Sequence, residues 1–265
     1  MLEKLKKAYS RGLSYTLAYI YWHCKFSLFR FLGVEKVRSR YGIALHSDYD
    51  DATFKYYFFA SYGHFYSTFL KTYSSRFVFI DIGANKGLYS ILAAKNPNCD
   101  RVISFEPIPL TFQYLRKNLT LNDVAEKCEP HNLAISDRCG KENACFDVNH
   151  SGKASLSPIM LRNKKRYVEI QTINNAFLNK LFAQNVNVDE NKNYIVKIDV
   201  EGFELTVLKE LFQCFFSVGI TNIFYEVDEA LVNPRLIENL LSDEGFQQIE
   251  KIGCGSHYDV MVSRA

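Results

Sequence analysis

Phe77-Val78-Phe79-Ile80-Asp81-Ile82-Gly83-Ala84-Asn85-Lys86-Gly87 is the stretch on which the fold turns. A strand with one wet face alternates apolar and polar residues. The unbroken run from Phe77 to Ile80 instead predicts a strand buried on both faces, the mark of a parallel sheet. Gly83 and Gly87 let the backbone turn sharply and approach a ligand without Cβ clashes. The helix expected after Gly87, roughly to Lys95, then opens with free N–H groups.

Downstream, strands and helices alternate. Strands are expected at Arg101–Phe105, Cys128–Ile135, Tyr194–Val200 and Asn222–Val227. Helices are expected at Leu110–Leu121, Asn175–Phe182, Glu204–Phe216 and Pro234–Leu241. Between 137 and 175 the rhythm breaks. Ala144–Val148 and Tyr167–Ile173 read as strands of an antiparallel excursion, and polar residues 149–166 as a mobile loop between them. Two closing strands, Phe246–Ile252 and His257–Val262, flank a turn with two glycines and read as a hairpin. Alternating β and α elements imply a mostly parallel sheet wrapped by helices, with the hairpin adding an antiparallel strand. Residues 1–75 read as a helical, basic and aromatic-rich segment ahead of a domain at 76–265.

The 265 residues suffice for one core and a small appendage. Charge is uneven. Residues 1–40 hold nine Lys or Arg and two Glu, a balance of +7, so a chain of net +3 leaves −4 for the remainder. A basic segment on a slightly acidic body is not a nucleic-acid footprint, and no nucleic-acid partner is expected. The seven cysteines form no Cys-x-x-Cys pair. Reduced thiols in a cytoplasmic protein are expected, without a cysteine zinc site. In residues 13–34 the apolar run is broken by His23, Lys25 and Arg30, short of the roughly 20 clean residues a span needs. That helix is expected to pack on the domain. A weak membrane-surface contact through residues 1–40, making the protein peripheral, stays open.

Ligands of an open parallel sheet bind beyond the carboxyl ends of its strands. Four of the five ends here carry acids: Asp81, Glu106, Asp199 with Glu201, and Glu226 with Asp228. Buried unpaired carboxylates are costly, so this gathering calls for a function. The first turn, Gly-x-x-x-Gly after an acid, lacks the Gly-x-Gly-x-x-Gly triplet that cradles a pyrophosphate. A carboxylate suits a cationic, hydroxyl-rich ligand. S-adenosylmethionine has an ammonium, a sulfonium and a ribose diol, and no phosphate. Glu106, 25 residues after Asp81, stands where such sheets place the acid that takes both ribose hydroxyls.

The strings FIDIGANKGLYS (79–90), ISFEP (103–107) and VKIDVEGFE (196–204), in that order, resemble the FkbM-type family of class I S-adenosylmethionine-dependent methyltransferases, over roughly residues 76–230. The resemblance implies a Rossmann-like sheet and methyl transfer to a hydroxyl oxygen, often on a sugar or natural-product scaffold. It also implies that Asp81, Gly83, Asn85 and Gly87 surround the methionine part, Glu106 holds the ribose, and Ala134 and Ile135 border the adenine. One departure stands out: Thr172-Ile173-Asn174-Asn175 carries amides where the family often has Thr-Leu-Asp-Asp.

A sugar hydroxyl is a poor nucleophile, so a general base is expected. Asp199 and Glu201 are the nearest acids by motif. Asp199 shares a strand face with Lys197, which leaves base and ion-pair partner both open for it. Glu201, beyond the strand end, is the better-placed base. A second use for these acids is to hold Mg²⁺ on Asp199, Glu226 and Asp228, though no metal is expected. Two different functions would keep the same scaffold: an NAD-linked oxidoreductase and a non-catalytic interaction protein. The acceptor is expected to be a small molecule or glycan.

Overall fold

The computed structural model describes residues 12–147, 149–155, 166–185 and 192–264. Helix α1 (Leu13–Phe31) leads to a small antiparallel pair, β1 (Lys36–Arg38) and β2 (Ala44–His46), then helices α2 (Ala52–Phe59) and α3 (His64–Thr72). Strand β3 (Phe77–Ile82), helix α4 (Leu88–Ala94), strand β4 (Cys99–Phe105), helix α5 (Pro109–Leu121) and strand β5 (Cys128–His131) follow. Next come β6 (Ala134–Ile135), β7 (Gly140–Asp147), β8 (His150–Ser155) and β9 (Arg166–Ile173). The chain finishes with α6 (Asn175–Asn185), β10 (Asn193–Ile198), α7 (Glu204–Phe212), β11 (Ile220–Asp228), α8 (Pro234–Asp243), β12 (Phe246–Cys254) and β13 (His257–Arg264).

The main sheet has seven strands in the order β12-β13-β11-β10-β3-β4-β5. From β11 to β5 every pairing is parallel, and β13 runs antiparallel to both β11 and β12. The chain starts at the centre with β3, runs outward to β5, then returns to the other side of β3 as β10. Strand order therefore reverses between β3 and β10, opening a crevice at their carboxyl ends.

β3 is buried on both faces because its side chains alternate between two cores. Phe77 and Phe79 join one cluster, and Val78, Ile80 and Ile82 the other. The N-terminal aromatics fill the first cluster: Phe54, Phe58 and Tyr66 are fully buried there beside Leu88 and Leu115. Tyr66 stacks on Phe224 with centroids 4.0 Å apart.

Three sequence expectations change. The N-terminal segment is helical except for β1 and β2. Asn118 on α5 and Asn122 just past its end accept from the amides of His46 and Ala44, and so satisfy an edge that has no further strand. The expected strand Cys128–Ile135 breaks into two. β5 stays in the main sheet, whereas β6 joins a second sheet of order β6-β9-β7-β8. At the break, Asn132 donates to the carbonyls of Glu106 and Pro107. Finally, part of the polar stretch read as a mobile loop is β8, tied at Ser151 to Asp51; residues 156–165 lie outside the described residues.

All seven cysteines are free. Among the described residues no helix is long and apolar enough to cross a membrane. Asn174 and Asn175, the amides that depart from the family pattern, serve α6. Asn174 Oδ1 accepts from the Phe177 amide and Asn175 Nδ2 donates to Gln213.

Candidate active site

A cavity of about 300 Å³ opens at the carboxyl ends of β3, β4, β10 and β11. Of the residues singled out in the sequence, Gly83, Asn85, Glu106, Ala134, Ile135, Asp199 and Glu201 line it. Asp81 and Gly87, expected with Gly83 and Asn85 around the methionine part, are not among the lining residues. Asp81 is wholly buried behind the wall. Its Oδ2 accepts from Ser90 Oγ at 2.5 Å, and its Oδ1 faces Lys197 Nζ at 3.7 Å. Gly87 starts α4 at φ +88°, a left-handed conformation that itself favours glycine, and a Cβ there would also stand 2.6 Å from Leu115 Cδ1.

Gly83 has a sharper constraint. At φ +79°, an added Cβ would lie 1.8 Å from the Asp199 carbonyl oxygen. The turns after β3 and β10 can approach this closely only without a side chain between them. Gly83→Ala is therefore expected to cost about 1–2 kcal/mol from the left-handed backbone alone. Parting the two turns adds to this and weakens ligand binding. An unchanged melting temperature and an undiminished thermal shift with S-adenosylhomocysteine would contradict this.

Glu106 is buried, with Oε2 accepting from the Asn85 amide and Oε1 from the Ile108 amide, both at 2.9 Å. Burial, only partly offset by those amides, pushes its carboxyl up to about 7. Each carboxylate oxygen keeps a lone pair for a ligand hydroxyl. Asn85 sits at φ +50°, and its Oδ1 accepts from Lys86 N and Ser151 Oγ.

The turn after β10 explains the spacing Val200-Glu201-Gly202-Phe203-Glu204. Glu201 and Gly202 take φ of +52° and +100° in succession. Glu204 holds this turn, its carboxylate accepting from the amides of Gly202 and Val200. The strain is local and turns Glu201 into the cavity. Oxygens of Asp199, Glu201 and Glu226 lie within 4.8 Å of one another. Burial first, then the charges of Glu226, Asp199 and Glu204, push Glu201 up to about 9. Burial and Asp199 push Glu226 up to about 7, against a hydrogen bond from His257 Nε2 at 2.5 Å. That same bond lifts His257 to about 9. Asp228, named beside Asp199 and Glu226 in the alternative Mg²⁺ reading, accepts from the Ala230 amide in the turn after β11.

Sequence reasoning missed much of the wall. Thr53, Tyr56, Tyr57 and Tyr62 reach it from the N-terminal segment, and His150 to Ser155 from β8. Tyr62 Oη donates to Asp199 Oδ2 at 3.4 Å. A buried ion cluster anchors this wall. Lys86 Nζ meets Asp48 at 2.6 Å and Asp51 at 2.7 Å, while Asp51 also accepts from the Phe54 and Ser151 amides. The adjacency of Lys86 to the Gly83–Gly87 turn was the one available signal, because a lysine there needs buried acids from elsewhere.

The donor set fits a cation. Four carboxylates line the cavity, three of them held above the usual carboxylate range by burial, and a positive ligand relieves that penalty. Sheet order, closing hairpin and this acidic crevice define the class I S-adenosylmethionine-dependent methyltransferases. The chain matches the Methyltransferase FkbM domain over residues 81–247 and belongs to that family.

It is similar to Methyltransferase sdnD of Sordaria araneosa, with 26% identity over 189 residues covering 63% of this chain and 72% of the relative. It is also similar to Methyltransferase 1 of Beauveria bassiana (strain ARSEF 2860), with 21% identity over 178 residues covering 63% and 71%. Among solved structures, M. capricolum TrmK in complex with S-adenosyl-homocysteine aligns with a TM-score of 0.44 at 11% identity, covering 76% of this chain and 69% of that one. The chain is thus a methyltransferase whose cofactor is S-adenosylmethionine, which displaces the oxidoreductase and non-catalytic readings.

Proposed function

We propose that this methyltransferase acts on a hydroxyl oxygen, and that the acceptor is a sugar or glycan. The observation that carries the proposal is the convergence of Asp199, Glu201 and Glu226 on the cavity beside a wall of tyrosines. A hydroxyl must lose its proton as it attacks, and a carboxylate within hydrogen-bond reach can take it. Tyr56, Tyr57 and Tyr62 offer flat aromatic surface for the apolar face of a sugar ring, and the acids accept from its other hydroxyls.

When bound, the cofactor supplies an electrophilic methyl group on a sulfonium. Glu106, already held by the Asn85 and Ile108 amides, would accept from the ribose hydroxyls. The Gly83–Asn85 turn would hold the methionine end, and Ala134 and Ile135, which line the cavity, would flank the adenine. Asp199, fixed by Lys197 at 3.1 Å and by Tyr62, shapes the floor and balances positive charge. Glu201 would take the proton that the acceptor hydroxyl loses as the bound cofactor gives up its methyl group to that oxygen. Much of the acceleration comes from holding oxygen and carbon close and in line.

Two measurements test this. At about a hundred times its dissociation constant, S-adenosylhomocysteine is expected to add ~2.7 kcal/mol to stability, and NAD nothing. Labelled S-adenosylmethionine is then offered to mono- and oligosaccharides and to matched acceptors bearing only amines or thiols. Label on a sugar oxygen supports the proposal, whereas label on nitrogen or sulfur alone overturns it.

A further inference from the structure

α1 has two apolar faces. One packs inward: Trp22, Phe26 and Phe29 rest against the core, Trp22 edge-on to Phe58 at 5.4 Å, and His23 stacks on Phe59 at 4.5 Å. The other faces solvent. Leu13, Leu17, Ile20, Tyr21, Leu28 and Phe31 recur at spacings of three, four and seven, so they fall on one stripe along the helix. All six are exposed, from 39% for Ile20 to 86% for Phe31. A contiguous apolar stripe of this length needs a partner.

Charge decides which partner. The stripe belongs to the part of the chain with nine basic residues and two acidic ones. A second copy packing stripe to stripe would bring +7 against +7. An anionic bilayer surface attracts the same charge and accepts the same side chains, and basic helices with an exposed apolar face lie in that interface. α1 is not apolar enough to cross the bilayer instead.

We infer that α1 docks flat on an anionic membrane surface, its Leu13–Phe31 stripe in the headgroup–acyl boundary, drawn there by the +7 balance of residues 1–40. α1 stands on α2, and α2 supplies Thr53, Tyr56 and Tyr57 to the cavity wall. Docking thus holds the cavity one helix layer from the bilayer.

The test uses the full chain and vesicles of phosphatidylcholine alone or with phosphatidylserine, read by co-sedimentation. Binding is expected to be at least about tenfold stronger with phosphatidylserine and to weaken as salt rises. The double variant Leu17→Asp/Phe31→Asp is expected to lose at least about tenfold in vesicle affinity. Because both side chains are exposed, it should keep the thermal shift with S-adenosylhomocysteine, which separates lost docking from lost folding. Equal binding to both vesicles, or full binding by a folded double variant, overturns the inference. So does a chain that ignores vesicles and instead dimerises in a manner the double variant abolishes, which would assign the stripe to a second copy.

Discussion

Replacing Lys197 with methionine is expected to cost about 3–5 kcal/mol of folding stability, the usual penalty for removing one partner of a buried ion pair. Lys197 is 3% exposed and stands between Asp81, fully buried, and Asp199. Its ammonium also reaches the Gly83 carbonyl and lies over the Tyr89 ring. Burial alone would lower its pKa, but the carboxylates of Asp199 and Asp81 outweigh that and hold it above the usual lysine value. Burial raises Asp81 even with Lys197 opposing. Methionine keeps most of the volume but strands Asp81, which has only Ser90 left.

The pH dependence checks that cause. A carboxyl whose folded pKa lies above its unfolded value binds more protons folded than unfolded in the intervening window, so its penalty grows as pH rises. In wild type, Lys197 limits that penalty. Without it Asp81 rises further, so the variant suffers most above neutrality and recovers on acidification. Denaturant titrations at pH 8 and pH 5 should therefore show a wide gap from wild type that narrows. A gap of equal size at both would mean that lost packing, rather than a stranded charge, is the cause.

The sheet was legible because its information is local. Phe77–Ile80 reads as doubly buried, and each side chain joins the core that alternation assigns to it. The acids at the strand ends were legible for the same reason: an acid closing an apolar run is out of place without a task. What remained hidden depends on distant partners. β1 and β2 have their edge satisfied by Asn118 and Asn122, more than 70 residues away. β8 is too polar to read as a strand, and its place is set by Asp51, 100 residues away from Ser151. The tyrosine wall and the Lys86 cluster likewise form only when the N-terminal segment folds over the crevice. Asp81 reads as a ligand from its motif, but it is wholly buried, and its cross-strand neighbour Lys197 faces it at 3.7 Å as an ion pair.

Changing Glu201 to glutamine is expected to lower kcat by about 10²–10⁴, the range a positioned general base supplies, while affinity for S-adenosylmethionine changes little. That loss equals about 2.7–5.4 kcal/mol of transition-state stabilisation, at 1.36 kcal/mol per tenfold. Glutamine preserves size and the left-handed turn held by Glu204, but it cannot take a proton. The Glu201 carboxyl is pushed up to about 9 and Glu226 up to about 7, so both still carry protons around neutrality. A base must first be deprotonated. Wild-type kcat/KM is therefore expected to rise with pH between about 7 and 9, and the variant should lose the upper part of that rise. Glu226 is the competing base. If Glu201→Gln keeps the whole limb and Glu226→Gln removes it, the proton goes to the Glu226–His257 pair. If Glu201→Gln instead destroys cofactor affinity with kcat intact, Glu201 is a cofactor ligand. A strained residue between two acids, unable to ionise freely until a cation enters, is well suited to act as a base only after the cofactor is in place. Binding S-adenosylmethionine should accordingly release protons at pH 8, a calorimetric signature that buffers of different ionisation enthalpy would reveal and that Glu201→Gln would diminish.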